Sequence, residues 1–115
     1  MNTKIKKIQR ERRRKRIRAK IFGTAETPRL SVFKSNRYLT AQIIDDEGGK
    51  TLAAVSTKTI KGANTREKSE LAGKSIGEAV MKKGISKIVF DRGGYIYAGS
   101  IMALAEGARS AGLKF

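Results

Sequence analysis

The stretch DRGGYIYAGS, residues 91–100, holds residue types that bind phosphate or metal ions in other proteins. Residues 94–100 read G-x-x-x-x-G-S, which is close to the phosphate-binding loop of nucleotide hydrolases. Asp91 follows the apolar run 88–90, and a carboxylate at the end of a central strand is a plausible ligand for a catalytic metal. The stretch therefore raises three alternatives: a nucleotide site, a metal-dependent nuclease site, and a loop that binds the phosphates of RNA.

A nucleotide site lacks an essential residue. The phosphate-binding loop needs a Lys before its Ser or Thr, because that ammonium group reaches the terminal phosphates. Here Ser100 follows Gly99 directly, and Tyr95, Ile96 and Tyr97 would crowd a cradle of backbone amides. ATP or GTP binding is therefore disfavoured, and we expect no cofactor.

A two-metal nuclease site lacks partners for Asp91. Such a site needs several converging carboxylates. The acids of residues 45–47 belong to a predicted hairpin tip, and Glu67, Glu70 and Glu78 fit the surface or first turn of a helix. The chain also has no His and no Cys, which excludes a catalytic triad, a thiolate–imidazole pair and an ordinary zinc site. We predict no catalytic residue and no metal site.

The charge of the chain points to a polyanionic partner. The 115 residues favour a single globular domain, and 26 Lys and Arg against 10 Asp and Glu give a net charge of +16. No apolar run approaches a membrane span, and no apolar segment follows the charged N-terminus, so we expect neither an anchor nor a signal peptide. The absence of Cys fits a reducing compartment, and we expect a cytoplasmic protein.

Residues 1–20 concentrate this charge, with eleven Lys and Arg and a single acid, Glu11. Such a block repels itself, so we expect it to be disordered or a fluctuating helix alone and to fold on a polyanion. We therefore divide the chain into a basic RNA-binding arm, residues 1–26, and a globular domain, residues 27–115. A solubility tail or a localisation signal is the alternative. The candidate phosphate contacts of the arm are Arg10, Arg12, Arg13, Arg14, Lys15, Arg16, Arg18 and Lys20.

From Pro28 onward the pattern alternates between strands and helices. Apolar alternation predicts strands at 29–34, 38–44 and 51–56, joined by short polar turns, and a fourth strand at 85–90. The continuous apolar run of the fourth strand indicates parallel pairing. Two segments predict amphipathic helices; their apolar stripes are Ala72, Ile76, Ala79, Val80 and Ile101, Leu104, Ala105, Ala108. The order is βββαβα, an α/β fold with a mixed sheet covered by helices, which resembles the ribonuclease-H-like core.

Two loop regions are candidates for RNA contact. In the first, Arg92 supplies a cation, Gly93 and Gly94 permit close approach of a backbone, and Tyr95 and Tyr97 could stack on bases. The alternative is that Asp91 caps a turn and the tyrosines cover the core. The second region gathers donors and cations around the first hairpin and the third connection: Lys34, Ser35, Asn36, Arg37, Tyr38, Lys58, Lys61, Asn64 and Arg66. Asn64 also suits a helix N-cap, with Glu67 three residues later.

Two long motifs resemble a known family. The segments RIRAKIFGTAETPRLSVFKSNRYLTAQIIDD and FDRGGYIYAGSIMALAEGARSAGLKF are similar to bacterial ribosomal proteins of the uL18 family, over about residues 12–115. After Tyr97 the chain lacks a His and one or two cations that are usual there, and Thr40 stands where an aromatic residue is usual.

The resemblance implies a structural protein of the large ribosomal subunit that binds 5S rRNA. In that family the protein helps attach 5S rRNA to the large-subunit rRNA in the central protuberance, beside neighbouring ribosomal proteins. The RNA contacts that the resemblance implies fall on the arm, on residues 34–38, and on Arg92, Gly93, Gly94, Tyr95 and Tyr97. Arg29 is a further candidate for RNA contact. A nuclease on the same fold and a general cationic nucleic-acid binder are the alternatives.

Overall fold

The computed structural model describes residues 3–35, 37–62, 64–95 and 97–115, with the backbone alone at Lys20. The predicted contact Asn36 and the side chain of Lys20 lie outside this description. The elements, in chain order, are α1 Thr3–Lys20, β1 Arg29–Lys34, β2 Leu39–Asp45, β3 Lys50–Ser56, a 3-10 turn Thr57–Thr59, α2 Thr65–Met81, β4 Val89–Asp91 and α3 Gly99–Ser110. From β1 onward this is the predicted βββαβα order.

The four strands form one mixed sheet in the order β3-β2-β1-β4. β1 pairs antiparallel with β2, with Val32 opposite Ala41, and β2 pairs antiparallel with β3. β1 pairs in parallel with β4, with Leu30 opposite Phe90. The predicted α/β class, the antiparallel meander and the parallel return strand are therefore confirmed.

β4 differs from its prediction in length and position. It covers only Val89–Asp91 and lies at the end of the sheet order, so the expectation of a central strand over residues 85–90 is wrong. Pairing with β1 stops because β1 begins after Pro28, which has no N–H to donate; its carbonyl accepts from the Val89 amide at 3.0 Å. Residues 86–88 pair instead with Lys114, whose amide donates to Ser86 and whose carbonyl accepts from Ile88.

α2 and α3 cover one face of the sheet and form the core with it. The core holds Leu30, Val32, Ala41 and Ile43 of the strands, Ala72, Ile76 and Val80 of α2, and Ile101, Leu104 and Ala108 of α3. The predicted stripe of α3 is confirmed. The predicted apolar stripe of α2 is wrong at one position, because Ala79 is exposed. Gly73 and Gly77 complete the buried face of the helix instead. A Cβ on Gly73 would overlap the Leu104 carbonyl oxygen, so the missing side chain lets the two helices approach closely.

The ends of α2 follow the predicted capping chemistry. Asn64 Oδ1 accepts from the Glu67 amide at 2.9 Å, as an N-cap does. After the helix, Gly84 has φ 84°, its amide donates to Met81, and the Ile85 amide donates to Val80. These two bonds are those of a Schellman motif, and Gly84 takes the left-handed position that glycine favours. None of the helices among the described residues is both long enough and apolar enough to span a membrane.

Candidate nucleic-acid interface

The loop after β4 is a tight turn closed by its own carboxylate. Asp91 is 2% exposed, and its Oδ1 accepts from the Gly93 amide at 2.8 Å. The Tyr95 amide donates to the Arg92 carbonyl at 3.1 Å. Gly93 and Gly94 have φ of 65° and 81°, which other residues adopt only with strain. Asp91 thus has the turn-capping role that was given as the alternative to RNA contact by this loop.

Arg29 joins this loop to the β2–β3 turn. Its Nε and Nη2 donate to the two carboxylate oxygens of Asp46 at 2.9 and 3.0 Å, and its Nη1 donates to Asp91 at 2.8 Å. The Gly23 amide also donates to Asp46 at 2.8 Å, so the segment after α1 is tied to the same group. One guanidinium therefore fixes the start of β1, the β2–β3 turn and the loop after β4.

The burial of Arg29 argues against its predicted contact with RNA. Only 5% of the residue is exposed, and its donors are used by two carboxylates, which raise its pKa above the usual value. On the other side of the pair, the hydrogen bonds from Arg29 lower the pKa of Asp46 from 3.8 to about 2. Arg29 thus stabilises the fold that presents the loop.

α1 lies against this loop at Gly94. Arg13 Nε donates to the Gly94 carbonyl at 2.8 Å, and the Arg10 guanidinium lies 5.1 Å from the centre of the Tyr95 ring. A Cβ on Gly94 would overlap the Arg10 carbonyl and lie 2.9 Å from the Arg14 amide. The glycine therefore opens the loop to the helix of the same chain, whereas the sequence suggested close approach by RNA.

Tyr95 and Tyr97 also make contacts within the chain. The Tyr95 hydroxyl bonds to the amide and the carbonyl of Lys34, each at 3.1 Å, while Arg10 covers its ring. Tyr97 packs edge-on to Phe90, with centroids 6.0 Å apart, and its hydroxyl accepts from Arg109. These contacts correspond to the structural alternative given for both residues.

The cations of α1 divide between two faces. One helical face is partly buried against the rest of the protein and holds Arg10, Arg13 and Ile17. Arg18 Nε lies 3.7 Å from Asp91 Oδ2. The outward face carries exposed cations, among them Arg12, Lys15 and Arg16 at helical spacing. Arg14 is also exposed, but it borders the recess between α1 and the body. The helix thus uses a few basic residues to contact the body and leaves the others in solvent.

A groove of about 640 Å³ separates α1 from the start of α3. It brings together residues predicted separately, namely Arg10 and Arg13 of the arm, Lys34 of the first hairpin and Tyr95 of the loop. Ala98 and Gly99 of α3 line the other wall, and α3 has no side-chain cap because Ala98 has no acceptor. The groove is therefore walled by cations and the amide end of a helix, both suited to phosphate.

The hairpin and the third connection meet beside this groove. Ser35 closes the turn through bonds to Tyr38, Arg37 is exposed, and Lys58 Nζ lies 5.8 Å from the Tyr38 ring centre. Lys61 is exposed, whereas the carbonyl of the Asn64 side chain caps α2. The structure thus brings Lys34, Ser35, Arg37, Tyr38 and Lys58 together. Lys61 and Arg66 are exposed, Asn36 lies outside the description, and Asn64 serves the helix.

Phe33 was missed by the sequence reasoning. It lies on β1 with 62% of its surface exposed, beside Ser31, Thr40 and Gln42. The alternation was the signal, because Leu30 and Val32 face the core and the odd-numbered residues Ser31 and Phe33 must therefore face away from it.

The acids of the described residues form turns and ion pairs rather than a cluster of metal ligands. Among the described residues no three Asp or Glu side chains converge as a metal site would require. Asp91, the proposed nuclease ligand, is held by Arg29 and by the Gly93 amide. Ser100 sits in the first turn of α3, as in a phosphate-binding loop, but the Lys that such a loop needs before it is absent from the sequence.

Comparison with known proteins identifies the family of the chain. The family described as Ribosomal L18 of archaea, bacteria, mitochondria and chloroplasts matches residues 4–115. The large ribosomal subunit protein uL18 of Clostridium botulinum (strain Loch Maree / Type A3) is 56% identical over 109 residues, 92% of each chain. The protein of the same name from Synechococcus sp. (strain JA-2-3B'a(2-13)) is 49% identical over 118 residues, covering 96% of this chain and 97% of its own. That from Lactococcus lactis subsp. lactis (strain IL1403) is 52% identical over 106 residues, covering 92% and 91%. The chain therefore belongs to the uL18 family of ribosomal proteins and is not an enzyme.

Proposed function

We propose that this chain is a structural constituent of the large ribosomal subunit that binds 5S rRNA. Through this contact it helps attach 5S rRNA to the large-subunit rRNA in the central protuberance of the cytoplasmic ribosome, beside neighbouring ribosomal proteins. Its relatives are named as proteins of the large ribosomal subunit, which supports the location. The resemblance described above supports the 5S rRNA as the partner.

The observation that carries the proposal is the way α1 is presented. The helix is held to the body at Gly94 and Tyr95, yet Arg12, Lys15 and Arg16 face away into solvent. Neutralising rRNA phosphates with these cations releases counterions, which favours binding and makes it depend on salt. Further cations extend the same positive surface beyond the helix: Lys34 in the groove, and Arg37, Lys58, Lys61 and Arg92 in the neighbouring loops.

A salt series tests the role of the arm. The triple substitution of Arg12, Lys15 and Arg16 to Gln should reduce the slope of log affinity against log salt by about 2 to 3, since each phosphate contact contributes roughly 0.7–0.9. Filter binding to 5S rRNA measures the slope. The matched control removes three exposed Lys residues outside α1, at 74, 82 and 87, and should leave the slope nearly unchanged. Equal slopes for the two triple variants would contradict an arm that contacts phosphate.

A competition assay separates a 5S rRNA protein from a general cationic binder. An RNA duplex with the same total number of nucleotides carries the same backbone charge, so a general binder would be displaced equally by both RNAs. We expect 5S rRNA to compete more strongly. Arg92→Ala should then weaken binding to 5S rRNA more than binding to the duplex, and an equal loss on both would remove the loop from the specificity argument.

A further inference from the structure

Phe33 is a large aromatic side chain that the fold leaves uncovered. β1 alternates, so Leu30 and Val32 face α2 and α3 whereas Phe33 faces the opposite side of the sheet. At the start of the strand that opposite side is closed by the buried Arg29. At Phe33 it is open, and 62% of the residue is exposed.

Polar side chains of the neighbouring strand surround the ring on one side. In the β1–β2 register Thr40 lies opposite Phe33 and Gln42 lies opposite Ser31, so the four residues share one face of the sheet. They line an open recess of about 230 Å³. A hydroxyl pair and a side-chain amide therefore stand beside one aromatic ring, and each can donate or accept a hydrogen bond.

Cations of α1 stand on the other side of the ring. A second recess, of about 150 Å³, lies beneath α1 and is lined by Phe33, Ser31 and the guanidinium-bearing Arg10 and Arg14. Its acids are Glu11 and Asp91, and Asp91 is already paired with Arg29. Phe33 is thus placed between hydrogen-bonding groups and positive charge.

We propose that Phe33 is a stacking platform for one unpaired nucleobase of the bound RNA. An aromatic face stacks on a base, Ser31, Thr40 and Gln42 hydrogen-bond the edge of that base, and Arg10 and Arg14 meet the adjoining phosphate. The base is unpaired because bases within a duplex are stacked on each other and cannot be reached by a side chain. An apolar protein partner fits less well, since it needs a continuous apolar patch and the residues beside the ring are polar. The inference rests on the proposed function, because it assumes that the RNA lies along α1.

Substitution of Phe33 tests the platform in the full-length protein. Phe33→Leu keeps an apolar side chain without a π-face and should raise the Kd for 5S rRNA by roughly tenfold, whereas Phe33→Tyr should bind as the unsubstituted protein does. The salt slope should stay constant, because no phosphate contact is removed. Phe22→Leu is the matched control, since Phe22 is also 62% exposed and should change the Kd less than about twofold.

Two further measurements define the chemistry of the contact. Phe33→Leu should leave binding to an RNA duplex unchanged, because a duplex offers no free base. Phe33→Trp introduces the only Trp of the chain, and its fluorescence should be quenched when 5S rRNA is added. Quenching by 5S rRNA but not by duplex supports a base stacked on residue 33.

The outcomes separate this inference from the proposed function. If the unsubstituted protein does not prefer 5S rRNA over duplex, the proposed function fails and this inference with it. Suppose instead that the unsubstituted protein prefers 5S rRNA. If Phe33→Leu then binds 5S rRNA normally, or loses affinity for 5S rRNA and for duplex equally, only the stacking platform is overturned. Fluorescence of the Phe33→Trp variant that responds to another ribosomal protein and not to RNA also overturns it.

Discussion

Replacing Gly94 with Ala tests whether the loop after β4 holds α1 in place. Gly94 has φ 81°, and an added Cβ would overlap the Arg10 carbonyl and approach the Arg14 amide to 2.9 Å. Gly84→Ala is the matched control. It imposes the same backbone strain at φ 84°, but nothing lies within 4 Å of its added Cβ. The difference between the two variants therefore measures the contact with α1.

The magnitude follows from the contacts that the displaced helix loses. The left-handed backbone costs about 1–2 kcal/mol in both variants and cancels in the comparison. Gly94→Ala additionally breaks the Arg13 hydrogen bond to the loop, about 1 kcal/mol, and the Arg10–Tyr95 contact, roughly 0.5–1 kcal/mol. If RNA binding needs α1 at this position, affinity for 5S rRNA should fall about 10- to 30-fold more than in Gly84→Ala.

Three measurements check this reasoning. Thermal unfolding should show a loss of stability about 1.5–2 kcal/mol larger for Gly94→Ala than for Gly84→Ala, because only Gly94→Ala loses the two contacts with α1. Trypsin should cleave the arm faster in Gly94→Ala, and 5S rRNA affinity should fall selectively. In a chain without residues 1–20 the two variants should bind alike. Equal affinity and equal cleavage in the full-length chains would refute a docking role for Gly94.

Two further predictions concern the body of the protein. The pKa of Asp46 is lowered to about 2 by Arg29, so its stabilisation of the fold is complete above about pH 5 and is lost as pH falls through 3.8 toward 2. Asp46→Asn should lower the free energy of unfolding by about 1–2 kcal/mol at pH 7, after allowance for solvent screening. The stability of this variant, followed by circular dichroism, should also depend less on pH between about 5 and 2. An unchanged dependence on pH would contradict the pairing of Asp46 with Arg29. Gly73→Ala should lower the unfolding free energy by about 1–3 kcal/mol, because α2 must move away from the Leu104 carbonyl, whereas the exposed Lys74→Ala should be nearly neutral in a urea titration.

Local patterns predicted most of the fold because each depends on neighbours in sequence. The alternation of residues 29–34 gave β1 with its observed bounds, and the Asn64 cap and Gly84 turn marked the ends of α2. The limits of β4 could not be predicted in this way. They depend on Pro28 and Lys114, which are distant in sequence and compete for the same apolar run.

The candidate site was harder to predict because its contacts join distant segments. Arg29 and Asp91 are 62 residues apart, and nothing local to either residue shows that they pair. Gly94 was identified as a position of close approach, but the sequence does not show that α1 is the approaching backbone. The helical form of the arm is what the structure describes, whereas its folding on RNA stays a prediction.

The acids of the loop region explain how so basic a chain keeps a defined shape. Asp46 and Asp91 both act on Arg29, and Asp91 also meets Arg18, so these acids are used where basic segments must join the body. Cations that take part in such pairs fix the geometry of the fold and contribute little to the long-range electric field. The exposed cations on the outer face of α1 attract a polyanion over about a Debye length. Substituting the inward Arg13 should therefore change the position of the bound RNA and leave the salt dependence of affinity nearly constant. Substituting the outward Arg12 should reduce the salt dependence of affinity and leave the position of the RNA nearly unchanged.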